Sequence, residues 1–157
     1  MTAPDDAAAP PPGALLSAAA LGSFRLNGQF LAVAERMARP AGLTAARWQV
    51  LGAVLPEPLP VAGIARVMGI TRQSVQRIAD LLVAEGLAEY RPNPAHRTAK
   101  LLQPTATGHA AVQRIGPAHA ELARQLLDQL GAEGFARAVA ALTALSEALA
   151  AVTDAGA

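Results

Sequence analysis

Two guanidinium groups and two carboxamides cluster in one short stretch of this sequence, at Arg72, Gln73, Gln76 and Arg77. If residues 71–85 are helical, these four share one face, while Val75, Ile78, Ala79 and Leu82 form an apolar face opposite. Guanidinium and amide groups are the ones that pair with guanine O6/N7 and adenine N6/N7 in a DNA major groove. Thr71 is placed to cap this helix, and the free backbone N–H groups beside Thr71 and Ser74 suit a phosphate. Asp80 is the odd member of the polar face; its expected role is to pair with Arg77 or Gln76 and orient them. A face of arginine and glutamine is also what an ordinary solvated helix shows, so the flanking segments have to decide.

The flanks favour DNA. Upstream, a short helix starts near Val61, turns Ile64, Ala65 and Met68 inward and ends at Gly69. Helix, glycine-containing turn and second helix over 61–85 make a helix-turn-helix pattern, closed by Gly86. Downstream, two strands are expected at 87–91 and 99–103, around the turn-rich tip Pro92-Asn93-Pro94-Ala95-His96-Arg97. Residues 59–103 therefore read as a winged helix-turn-helix. Arg97 at the tip suits a narrow minor groove. Arg91 and Lys100, on the strands, suit phosphates. His96 either donates to a phosphate, buttresses Arg97, or is a turn histidine of no consequence.

These parts need a scaffold. Of 157 residues, 52% are apolar but only 3% aromatic; the alanine-rich remainder favours closely packed helices. The expected fold class is mostly α: a winged helix-turn-helix with a small β-hairpin wing, plus terminal dimerisation helices. Residues 1–14 read as a disordered arm and 15–42 as a dimerisation helix. The DNA-binding lobe spans 43–104, and C-terminal dimerisation helices span 105–153. In the first helix, expected over about 15–39, Leu26, Phe30, Val33 and Met37 share a face. Thr44 caps a second helix, and Pro56 to Pro60 form a rigid connector. Thr105 begins a long helix with a kink expected where Gly116 precedes Pro117. In the last helix, over 132–153, Phe135, Leu142 and Leu149 are spaced by seven, as are Leu145 and Val152. That is a coiled-coil-like seam for a second copy, the alternative being packing on its own chain.

Charge is divided. Residues 40–115 carry eight Lys/Arg and four Asp/Glu, whereas 116–157 carry two and five. A basic middle beside an acidic end is expected to meet a polyanion through one region only. With no cysteine, disulfides, thiolate metal sites and thiol redox sensing are excluded. The N-terminus lacks the pattern of a signal peptide, and no apolar run reads as a membrane span, so a cytoplasmic protein without a membrane partner is expected. His96, His109 and His119 have no metal-ligand spacing, and neither a nucleophile motif nor a phosphate loop is present. No enzyme, cofactor or metal is expected.

From Leu43 to Gly108 the sequence resembles the MarR (multiple antibiotic resistance regulator) family of winged-helix transcription regulators. LTAARWQVL looks like that family's second helix, MGITRQSVQRIADLLVAEGLAEY like its recognition helix entering the wing, and PNPAHRTAKLLQPTATG like its wing and fifth helix. The resemblance implies a homodimer built from the terminal helices, bound to pseudo-palindromic double-stranded DNA. In many members a small aromatic effector binds between the dimer helices and the DNA-binding lobe and releases the DNA. Two positions depart. Family wings often read Asp-x-x-Asp-Arg, where this chain has Asn93 and His96 before Arg97; and Pro104 stands where leucine is usual. The alternative function is a small-molecule-binding protein on the same scaffold with weak or lost DNA binding. Phe24, Asn27, Phe30, Trp48 and His109 would line its cavity, although the aromatics equally suit core packing.

Overall fold

A computed structural model describes residues 9–154. The element order is α1 (Pro12–Ala38), a 3-10 turn (Arg39–Ala41), α2 (Ala45–Val54), β1 (Leu59–Pro60), α3 (Val61–Met68), α4 (Arg72–Ala84), β2 (Ala88–Arg91), β3 (Leu101–Pro104) and α5 (Ala106–Asp154). The chain divides into two compact units, one ending at Gln113 and the other running from Arg114.

The first unit is organised around α2, α3, α4 and the wing. Thr44 caps α2 by accepting from the Arg47 N–H at 3.3 Å, and Glu35 of α1 accepts from Ala45 N–H at 2.7 Å. Two of the first N–H groups of α2 are thereby satisfied, one of them by a neighbouring helix. Val50, Leu51, Val54, Ile64, Val75, Ala79, Leu82 and Leu102 have 0–1% of their surface exposed and form one core. Arg47 reaches from α2 to Glu85, at the C-terminal end of α4, with N···O 2.8 Å. The turn between α3 and α4 depends on Gly69, whose φ of 64° ends α3 in the left-handed region that β-carbons disfavour. Thr71 then caps α4 through Ser74 N–H, as expected from the sequence.

Three strands pair antiparallel in the order β1-β3-β2. The register sets Tyr90 against Leu102 and Glu89 against Gln103, and Leu59 meets Leu102 from the other side. The segment expected to be only a rigid connector thus ends in a strand, on a sheet edge where the missing N–H of Pro60 costs little. Pro104 ends β3 opposite Ala88 and leaves the junction to α5 intact. Just after it, Thr105 donates its hydroxyl to Gly86 O at 2.7 Å and accepts from Gly108 N–H at 3.1 Å, while its N–H bonds Leu87 O at 3.1 Å.

Three other expectations are corrected. Helix α1 starts at Pro12, inside the stretch assigned to an arm, because proline at the first helical turn has a suitable φ and needs no N–H partner. Residues 1–8 of that arm lie outside the described residues. Helix α5 runs through Pro117, where a kink was expected; its backbone breaks at Gly131 (φ 68°, ψ 161°), just ahead of the last helix expected over 132–153. Finally, α5 is long and apolar enough, by length and composition, to cross a membrane, with none of that window buried.

In the second unit, the part of α5 beyond Gly131 carries Val139, Leu142, Leu145, Leu149 and Val152 at 44–72% exposure. Phe135 is half-buried. Arg124 pairs with Glu121 and Asp128 at 2.7 and 2.8 Å on an exposed side of the helix.

Candidate nucleic-acid interface

The recognition face emerges from α4. Buried Val75, Ala79 and Leu82 fix which way the helix faces, and half-buried Ile78 joins them. Arg72, Gln73, Gln76 and Arg77 are left exposed. Arg72, Gln73 and Gln76 line a cleft of about 600 Å³ with Pro60, Tyr90, Thr98 and Lys100. Lys100 Nζ lies 6.0 Å from the centre of the Tyr90 ring. The cleft therefore joins the helix to the wing and gathers two cations, two amides and an aromatic ring. Ser74 and Arg77 sit beside Gln73 on the neighbouring surface. The Thr71 hydroxyl donates to Ser74 Oγ at 2.9 Å, so the helix start is braced by two side chains.

Gln76 differs from its neighbours. Its Nε2 donates to Asp80 Oδ1 and to the Tyr90 hydroxyl, both at 2.8 Å, and the Tyr90 hydroxyl donates to the same Asp80 oxygen at 2.7 Å. Asp80 thus orients Gln76, one of the two partners expected for it. Tyr90 is the residue that sequence reasoning missed. It lies 14 residues from Gln76 and on another element, and only the unusual acid on a polar recognition face pointed toward such a bond. Partial burial, then the hydrogen bond and negative charge of Asp80, push the Tyr90 phenol up to about 12, while the Gln76 bond acts the other way. The group stays a neutral donor through the physiological range. Its contribution to stability is present below about pH 10 and is lost as pH rises through about 12.

The wing tip places His96 and Arg97 in solvent. Asn93 accepts from the Ala95 N–H through its side chain at 3.0 Å and from the His96 N–H through its carbonyl at 3.3 Å. It shapes the turn and does not reach the arginine; among the described residues no carboxylate pairs with Arg97. Arg91 follows Tyr90 on β2 and by alternation takes the other sheet face. There its Nη1 donates to Gln103 Oε1 at 3.1 Å, and Gln103 donates to Glu89. Arg91 is thus separated from the cleft that gathers Lys100 and Arg72.

Of the residues expected to line an effector cavity, Asn27 borders a cleft of about 480 Å³ with Leu31, Gln49, Gly52, Ala53, Val67, Met68 and Ile70. Phe24 and Phe30 are 73% and 52% exposed, His109 is exposed and Trp48 half-buried, and none of the four lines that cleft.

Residues 41–97 match the model of the MarR family. An uncharacterized protein of Mycobacterium tuberculosis, Rv2011c, is 47% identical over 92 residues, or 59% of this chain. The chain spans 64% of the length of the curated relatives it matches. Among solved structures, the MarR family transcription regulator SP03579 is similar over 90% of this chain and 95% of its own, with a TM-score of 0.74 and 20% identity. A mutant MarR from E. coli, complexed with operator DNA, is similar over 83% of this chain and 94% of its own, with a TM-score of 0.71 and 21% identity. The M. tuberculosis regulator MosR, in complex with DNA, covers 83% and 97% with a TM-score of 0.67 and 23% identity. Residues 41–97 thus match the MarR family model, and the chain around them has the winged-helix fold of the MarR family transcription regulators it is similar to.

Proposed function

We propose that this protein is a homodimeric, sequence-specific DNA-binding transcription regulator of the cytoplasm, acting as a ligand-responsive repressor and not as an enzyme. The observation that carries this reading is the exposed quartet Arg72, Gln73, Gln76 and Arg77 on a helix seated by a dry core. Helix α4 enters a major groove and reads base edges. Arg97 at the wing approaches the flanking minor groove, and Thr71, Ser74, His96 and Lys100 serve the backbone. Arg91 contributes a phosphate contact from the outer sheet face. Two copies, joined through α1 and the seam of Phe135, Leu142, Leu145, Leu149 and Val152, address a pseudo-palindromic operator. The cleft bordered by Asn27 is the place for a small aromatic effector.

Quantitative DNA binding separates these roles. Arg97→Ala is expected to weaken binding to all duplexes by a similar factor, about tenfold, and to flatten the salt dependence by about one ion per subunit. Arg72→Ala is expected to change which sequence is preferred, by about 1–3 kcal/mol at one base pair. An Arg72→Ala variant with unaltered preference would count against the major-groove assignment.

A further inference from the structure

An amide side chain is ambiguous, because rotation by half a turn exchanges its donor and its acceptor. On the recognition face that ambiguity decides what a glutamine reads. Gln73 makes no side-chain hydrogen bond among the described residues, and it keeps both options. Gln76 does not. A carboxylate oxygen only accepts, so the end of Gln76 that faces Asp80 has to be the NH2 group. The same nitrogen also donates to the Tyr90 hydroxyl, and that hydroxyl has committed its own hydrogen to Asp80. Three sides of 2.7–2.8 Å close a small triangle with one polarity. Rotating the Gln76 amide would set its carbonyl oxygen against the Asp80 carboxylate. Oε1 is then the atom of this amide that makes no bond among the described residues.

We propose that Asp80 and Tyr90 are positioning residues that fix the polarity of Gln76, so that it meets the major groove as a hydrogen-bond acceptor and selects a base carrying an exocyclic amine. This inference rests on the DNA-binding reading above and deepens it. Adenine N6 and cytosine N4 are the amines exposed in the major groove; guanine and thymine present O6, N7 or O4 there and meet Oε1 acceptor to acceptor. The strand contacted by Gln76 therefore carries adenine or cytosine at that position. Tyr90 stands on β2, so the device also ties the recognition helix to the wing strand. Fixing the side chain before binding reduces the rotamer entropy lost on contact.

The test is binding-site selection from a randomised duplex library, with the full chain and with Gln76→Ala, Asp80→Asn and Tyr90→Phe. Gln76→Ala identifies the position, as the one where preference disappears. The wild type is expected to favour adenine or cytosine there by about five- to tenfold. Asp80→Asn presents an amide that accepts either orientation, and it is expected to relax that preference to about twofold or less while other positions keep theirs. Tyr90→Phe is expected to relax it partway. Because Tyr90 is the sole tyrosine, alkaline absorbance titration reads the triangle directly. The wild-type phenol is expected to titrate at about 12. Asp80→Asn lowers that midpoint part of the way toward the ordinary value of about 10, since burial remains. Guanine or thymine selected at the Gln76 position overturns the proposal, as does undiminished preference in Asp80→Asn. A folded wild type that enriches no sequence removes the DNA-binding reading itself, and this inference with it.

Discussion

Gly108→Ala is expected to destabilise the protein by at least about 2 kcal/mol, despite placing a better helix former in α5. A β-carbon at Gly108 would lie 1.9 Å from the Leu87 carbonyl oxygen and 3.0 Å from its carbon, with Leu51 Cδ2 at 3.5 Å. The obstacle is backbone, so no side-chain rotation relieves it. Relief requires α5 to move off the α4–β2 connection, which strains the bonds of Thr105 to Gly86 and Leu87. Overpacking of this kind costs about 3 kcal/mol or more, and the gain in helix propensity offsets about 1. For a protein of this size the melting temperature falls by roughly 4–8 °C. Gly52→Ala in α2, where nothing lies within 4 Å of the added carbon, is the control and is expected to lose nothing. Thermal melts of the two variants check the contrast; equal melting temperatures would mean that the close approach at Leu87 is absent in solution.

The second large effect concerns assembly. Leu142 and Leu145 are 46% and 44% exposed in the single chain, within a stretch of α5 that buries none of its apolar window. Burial of the remaining exposed half against a second copy stabilises such side chains by about 1 kcal/mol each, and two glutamates at an apolar seam reverse the sign. By analytical ultracentrifugation the wild type is expected to be a dimer, and the variant carrying Leu142→Glu and Leu145→Glu a monomer at the same concentration. Its affinity for a two-half-site duplex is expected to fall about 100-fold or more, because the two half-sites are no longer engaged by linked modules. An unchanged mass in the double variant would show that α5 covers this face in another way.

Sequence patterns made the central lobe legible because each of its parts leaves a local trace. Threonine stands at two helix starts, glycine at the turn after Met68, and apolar residues recur at helical spacing in α4. The wing hairpin is legible for the same reason, its two strands and turn-rich tip being contiguous. What escaped depends on distance along the chain. Strand β1 is two residues long and becomes a strand only by meeting Leu101 and Leu102. Tyr90 becomes part of the site only by meeting a carboxylate ten residues earlier. The long helix continues through Pro117, where the loss of one backbone bond suggested a kink, whereas the break at Gly131, whose backbone takes a conformation closed to other residues, falls where the last helix was expected to begin. The wing presents the reverse case. Its missing acidic brace was legible, and the structure adds that Asn93 spends its side chain on the turn.

The central claim is that α4 and the wing bind specific duplex DNA. The most direct measurement is a mobility shift of the duplex immediately upstream of this protein's own gene, at low salt, with the folded wild type. The expected result is a discrete complex that survives an excess of unrelated duplex, is displaced by the unlabelled upstream duplex, and fades steeply as salt rises. Folded, dimeric protein that gives no shift at low salt would contradict the account.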